Sequence, residues 1–187
     1  AGDFIKECSD LNIPVAAVGF MYPKGYLLQK IREDGWQEDI EDPIEREAAA
    51  ISRVTTADGR QLIFEVPLFV PPVHVAVWKI AIGINTLYLM DTDIDANDPW
   101  NRSISARLYA GHLEQRLRQE IVLGIGGVRL IRKLGLNPTV WHINEGHAAF
   151  LIIERCRELV EQGMDFEAAL ELVSANNVFT THTPVPA

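Results

Sequence analysis

Apolar residues at the start of the chain recur at helical spacing, with Phe4, Ile5, Cys8 and Leu11 on one face. Residues 13–22 form an apolar run opened by Pro14, which reads as a strand. The acidic stretch after Trp36 reads as an exposed turn, with Pro43 discouraging regular structure. A β-rich middle follows: 51–56, 61–66, 74–84 and 86–90 are strand-like. Ala57-Asp58-Gly59 supplies a hairpin turn, and Pro67, Pro71 and Pro72 act as separators. From Asn101 the period lengthens. Leu113, Leu117, Ile121, Ile125 and Val128 mark one face of a single helix over 113–133, despite Gly124, Gly126 and Gly127. Those three glycines cost about 3 kcal/mol relative to alanine, so burial must compensate. A short strand is predicted at 139–143, helices at 148–160 and 166–173 with a stop at Gly163, and a last strand at 178–181. Strand, helices and strand in close succession predict an α/β fold with a mainly parallel sheet and connections on its faces.

Composition narrows the class. The 187 residues are 48% hydrophobic and 23% charged, which describes an ordinary globular chain rather than a disordered or disulfide-framework one. No apolar run approaches the roughly 18 to 20 residues of a membrane span, so a soluble protein with no membrane partner is expected. Net charge is 17 − 26 = −9, and residues 33–47 carry eight carboxylates against one arginine. Nucleic acid is not an expected partner, because phosphate neutralisation needs clustered Lys and Arg. Residues 101–134 are locally basic, with seven Arg/Lys against two Glu, but scattered among apolar positions as on a solvated helix face. Cys8 and Cys156 stand far apart in no motif, which suggests a reducing, cytoplasmic setting. Both ends of the chain read as cuts through a longer protein.

Three predicted strand ends carry candidate chemistry. Asn144, Glu145 and His147 follow the strand at 139–143, and Thr180-Thr181-His182-Thr183 closes the strand at 178–181. Parallel neighbours would bring Asn144 and His182 into one crevice at the carboxyl edge, where open α/β sheets bind ligands. Their amide, carboxylate, imidazole and hydroxyl groups suit a polyhydroxylated ligand. A metal reading of His142 and His147 fails, since a spacing of five on a helix separates the rings by about 140°. The third strand end presents Asp91, Asp93 and Asp95, without the glycine and glutamate of a calcium loop. A flexible polar loop near the crevice is the expected reading, with no metal. Gly124-Ile125-Gly126-Gly127 lacks the third glycine of a dinucleotide fingerprint, since Arg129 stands there, and small residues allowing close helix packing explain it better.

These residues carry a resemblance that spans nearly the whole chain in order. Ala1-Gly2-Asp3-Phe4, Gly25-Tyr26 on to Asp34-Gly35-Trp36-Gln37, residues 87–93, Arg107-Leu108-Tyr109, Arg118-Gln119-Glu120, residues 141–150 and 177–186 together resemble the amino-terminal domain of the α-glucan (glycogen and starch) phosphorylases. The resemblance implies that residues 1–187 are part of that domain, the amino-terminal half of a two-domain, GT-B-type glycosyltransferase with Rossmann-like sheets facing a cleft. It implies an enzyme that uses inorganic phosphate to release glucose 1-phosphate from α-1,4-glucan. Pyridoxal phosphate would be bound mainly by a carboxyl-terminal domain absent from this sequence, so the fragment alone is expected to be inactive.

Carried over by position, His182 matches a histidine whose backbone contacts the glucosyl unit, and Asn144 and His147 match residues beside the active site. The loop from Asp91 to Asn97, which carries the candidate substrate-binding Asp91 and Asp93, resembles a segment gating the cleft. Glu145-Gly146 resembles the shorter bacterial and archaeal branch, so allosteric control of the animal type is not expected. A homo-oligomer is compatible with this reading. The alternatives are a glycogen or starch synthase, for which Lys24-Gly25-Tyr26 supplies no donor loop, and a non-catalytic carbohydrate-binding module.

Overall fold

The computed structural model describes residues 2–24, 27–41, 44–107 and 112–182, so Ala1, Gly25-Tyr26, Pro43, Leu108-Tyr109 and Thr183 onward lie outside the described residues. The chain forms two compact units, residues 2–116 and 117–187. It is a mixed α/β protein.

The first unit opens with helix α1 (Gly2–Asp10), which buries Ile5 and Cys8 and ends at Asn12 in the left-handed conformation (φ 56°). Strand β1 (Ala16–Phe20) follows, then β2 (Leu27–Ile31), β3 (Gln37–Glu41), β4 (Ser52–Arg53), β5 (Ile63–Val66), β6 (Val73–Ile82) and β7 (Asn85–Asp91). The sheet runs β1-β7-β6-β4, with β5 also on β6. Within it β1–β7 is parallel, and β6 pairs antiparallel with β4, β5 and β7, so the sheet is mixed. The reason is local. Gly83 takes φ +58° and turns β6 directly back into β7, and a Cβ there would collide with Ser9 Oγ, which accepts the Ile84 N–H. Val66, Val73, Val75, Val77, Met90 and Ile104 form the fully buried centre.

The expected turn in the acidic stretch is in fact half of a hairpin. β2 and β3 pair antiparallel, turning at Gly35 (φ +83°), where the Trp36 N–H reaches Asp34 Oδ1 at 3.2 Å. A solvated ribbon needs no apolar alternation, so the hydrophobic pattern was silent. Lys30 opposite Glu38 supplies the cross-strand complement. The Ala57-Asp58-Gly59 turn forms as expected, with Gly59 at φ +82° and Thr55 bridged to Gln61. Helix α2 (Pro99–Arg102) starts on Asp98, whose carboxylate accepts from the Trp100 and Asn101 N–H groups.

The helix predicted over 113–133 runs without a break, as α3 (Leu113–Ile121), a π-helical turn (Val122–Gly126) and α4 (Gly127–Lys133). The π turn falls on the glycines. A Cβ on Gly124 would lie 2.7 Å from the Leu151 backbone nitrogen and 2.8 Å from Phe150 Cβ, so glycine permits the close approach of a neighbouring element. In the second unit, β8 (Trp141–Asn144), α5 (Leu151–Glu161), α6 (Phe166–Ala175) and β9 (Asn177–Thr180) complete the chain. Gly163 (φ +95°) ends α5, and Asp165 caps α6 through the Glu167 N–H. The basic face around Arg129 is ion-paired to α5: Arg129 Nε donates to Glu154 Oε1 at 2.7 Å, and Arg132 bonds Glu158. Glu154, 2% exposed, also accepts two bonds from Arg157. No helix among the described residues is long and apolar enough to cross a membrane.

Two measurements follow. Gly124→Ala gains about 1 kcal/mol of helix propensity but forces overpacking that costs about 1 to 3 kcal/mol. At contacts this short the clash should prevail and lower the melting temperature of the intact protein. Burial alone would raise the Glu154 carboxyl; hydrogen bonds and charge from Arg157 and Arg129 overcome it and hold the carboxyl below its ordinary value of 4.5. Its stabilisation is therefore complete above that value and lost as pH falls through the lower folded value. Glu154→Gln should lower the melting temperature near neutral pH, and the gap to wild type should close as pH drops below 4.5.

Candidate functional site

The period-2 alternation of β8 buries Trp141 and Ile143 and exposes His142 and Asn144. β9 lies parallel to β8 in the register Trp141↔Asn177 to Asn144↔Thr180, so the two strands end side by side. Beyond the ladder, the Glu145 N–H donates to the Thr180 carbonyl at 2.8 Å, and the His182 N–H donates to Glu145 Oε1. His182 Nε2 lies 2.8 Å from Asn144 Oδ1. That oxygen only accepts, so this contact selects the tautomer with its proton on Nε2. Asn144 and His182 are both exposed, and the pairing leaves Asn144 Nδ2 as a donor and His182 Nδ1 as an acceptor. His147 sits exposed in the 3-10 turn Gly146–Ala148, and His142 Nε2 meets Thr180 Oγ1 at 2.7 Å. The structure thus brings together Asn144, Glu145 and His182, as expected for parallel strand ends.

Asp91 and Asp93 belong to the other unit, at the end of β7. Asp91 is 1% exposed and already saturated: Arg46 Nε (2.6 Å) and Trp78 Nε1 (3.1 Å) reach Oδ2. Arg46 Nη2 (3.0 Å) and the Asp93 N–H (3.0 Å) reach its Oδ1. Asp93 is bonded by Arg102 Nε at 2.8 Å and by Arg46. Burial works to lower the Arg46 pKa, but Asp91 and Asp93 raise it above its ordinary value, so this cation stays charged. The loop after Asp91 is tied down rather than loose. Asn97 donates to the His74 and Thr92 carbonyls, both at 2.7 Å, and accepts the His74 N–H.

Arg46 was the overlooked residue here. Its signal was visible as the one cation among the eight carboxylates of residues 33–47. A second feature without a sequence signal is a cavity of about 760 Å3 lined by Trp141, Arg132, Arg155, Glu158, Asn137 and Asn176. Both guanidiniums lie over the Trp141 ring, at 5.6 and 4.9 Å. It adjoins the amino-terminal ends of β8 and β9, opposite the edge carrying Asn144 and His182.

No family model matches the chain. It is 43% identical over 185 residues to the glycogen phosphorylase of Aquifex aeolicus, covering 99% of this chain and 27% of that protein. It is 44% identical over 187 residues to the maltodextrin phosphorylase of Thermococcus litoralis, covering 100% of this chain and 22% of the relative. The glycogen phosphorylase of Mycobacterium tuberculosis is 44% identical over 194 residues, with 100% and 22% covered. The chain therefore spans about a quarter of the length of these relatives. With the similarity running through both units and both strand ends, these 187 residues are a segment of the glycogen and maltodextrin phosphorylase family.

Proposed function

We propose that this chain is part of the amino-terminal domain of an α-glucan phosphorylase, a two-domain GT-B-type glycosyltransferase of the cytoplasm. The observation that carries the reading is the 43 to 44% identity, over 99 to 100% of the chain, to proteins named glycogen and maltodextrin phosphorylase. The intact protein would move the terminal glucosyl unit of an α-1,4-glucan to inorganic phosphate. The bond from C1 to the next sugar breaks, a bond from C1 to a phosphate oxygen forms, and the departing oxygen takes a proton. The products are glucose 1-phosphate and a glucan shorter by one unit.

In this reading the paired Asn144 and His182 orient the glucosyl group. Asn144 Nδ2 is a donor and His182 Nδ1 an acceptor for sugar hydroxyls, and holding the sugar in a reactive pose is itself catalytic. Asp91 and Asp93, engaged by Arg46 and Arg102, support the wall of their own unit instead of contacting sugar. Pyridoxal phosphate, when bound, supplies a phosphate group beside the substrate phosphate. Neither residues 141–149 nor 177–182 include a lysine or arginine to anchor it, so in this reading the two strand ends serve the sugar and not the cofactor. The buried free thiols of Cys8 and Cys156 fit a reducing compartment.

The test is release of glucose 1-phosphate from glucan and inorganic phosphate by the full-length protein. A lost hydrogen bond to a neutral group is worth about 0.5 to 1.5 kcal/mol, more where the contact strengthens in the transition state. Asn144→Ala and His182→Ala should each lower the rate about tenfold while the spectrum of the bound cofactor is unchanged. Asp91→Asn should instead act mainly on thermal stability. Wild-type rates in both alanine variants would remove the pair from the site, and activity with a nucleotide sugar in place of phosphate would favour a synthase.

A further inference from the structure

Glu145 is an anomaly in the strand ends. Its backbone takes φ 59° and ψ −173°, a region that side-chain-bearing residues rarely occupy and glycine tolerates. Its neighbour is a glycine, yet the unfavourable conformation falls on the glutamate. The conformation has a geometric consequence: it aims the Glu145 N–H at the Thr180 carbonyl while the carboxylate accepts the His182 N–H. The ladder between β8 and β9 ends at Asn144↔Thr180. Past that point, His182 is held by two contacts to consecutive residues of the other strand, the Glu145 carboxylate on its backbone and Asn144 Oδ1 on its ring.

We infer that Glu145 is a positioning residue: its carboxylate fastens the backbone of His182 and thereby holds the imidazole against Asn144. This rests on the reading that the pair orients the glucosyl group. The role needs an acceptor oxygen at Oε1 and no negative charge, because an N–H donor bonds a neutral amide oxygen as well as a carboxylate. A glutamate acting on substrate through its charge, or as an acid or base, would need the ionisable group.

The experiment compares Glu145→Gln, Glu145→Ala and Glu145→Gly in the full-length protein, by phosphorolysis kinetics and by amide hydrogen exchange over 180–183. Glu145→Gln should keep kcat and KM within about twofold of wild type, with unchanged exchange. Glu145→Ala should lose about tenfold in kcat/KM, and the His182 amide should exchange at least tenfold faster. Glu145→Gly, free of the backbone conflict, should melt no lower than Glu145→Ala and still show the fast exchange and the low rate, separating positioning from folding. A Gln variant as impaired as the Ala variant would overturn the inference, as would unchanged exchange in Glu145→Ala. If wild type releases no glucose 1-phosphate, the phosphorylase reading fails, and the exchange data still decide the role of Glu145.

Discussion

The parallel pairing of β8 with β9 is the constraint on which the candidate site depends. Parallel strands cannot be joined by a tight turn, so the chain between them must travel back along the sheet, and residues 145–176 do so as α5 and α6. Because the strands point the same way, the residues that follow each of them emerge at the same edge. Asn144 and His182, 38 positions apart, come within 2.8 Å for that reason. An antiparallel pair would have set Asn144 beside the start of β9. The local chemistry of the connection serves this return: Gly163 ends α5 in a conformation that excludes most side chains, and Asp165 starts α6 by satisfying a free N–H.

Arginine sets the character of both units. Asp91 in one and Glu154 in the other are almost fully buried carboxylates, each surrounded by guanidinium donors. Removing an ionised carboxylate from water is costly unless it is paired and hydrogen-bonded, and arginine's fixed fork meets two oxygens at once. Asp91 adds the indole of Trp78 and a backbone N–H, which leaves its oxygens little capacity for a ligand. An acidic residue at a strand end is thus a poor guide to binding by itself. The exposed Asn144 and His182, with donor and acceptor groups left over, are more accessible to a ligand than the better-shielded Asp91.

The sequence by itself determined the elements whose side chains face a core. The alternation at 139–143, the three-and-four spacing from Leu113 to Val128, the Asp-Gly turn and the stop at Gly163 all reappear, because periodic burial and backbone preference are local properties. The close packing suggested for the glycines of 124–127 is visible at Gly124. It also placed Asn144 and His182 together, since a strand, helices and strand order carries the parallel pairing within it. What tertiary structure decided was partnership. The β2–β3 hairpin left no apolar period to read, and β7 returned antiparallel on β6 because Gly83 turned the chain tightly beside Ser9. Asp91 became a structural anchor because Arg46, 45 residues earlier, reaches it; Glu145 turned from a strand-end carboxylate into an acceptor for the His182 backbone. Hydrogen bonds saturate, so a group's chemistry depends on which partners the fold has already given it, and those partners lie too far along the chain for local spacing to reveal.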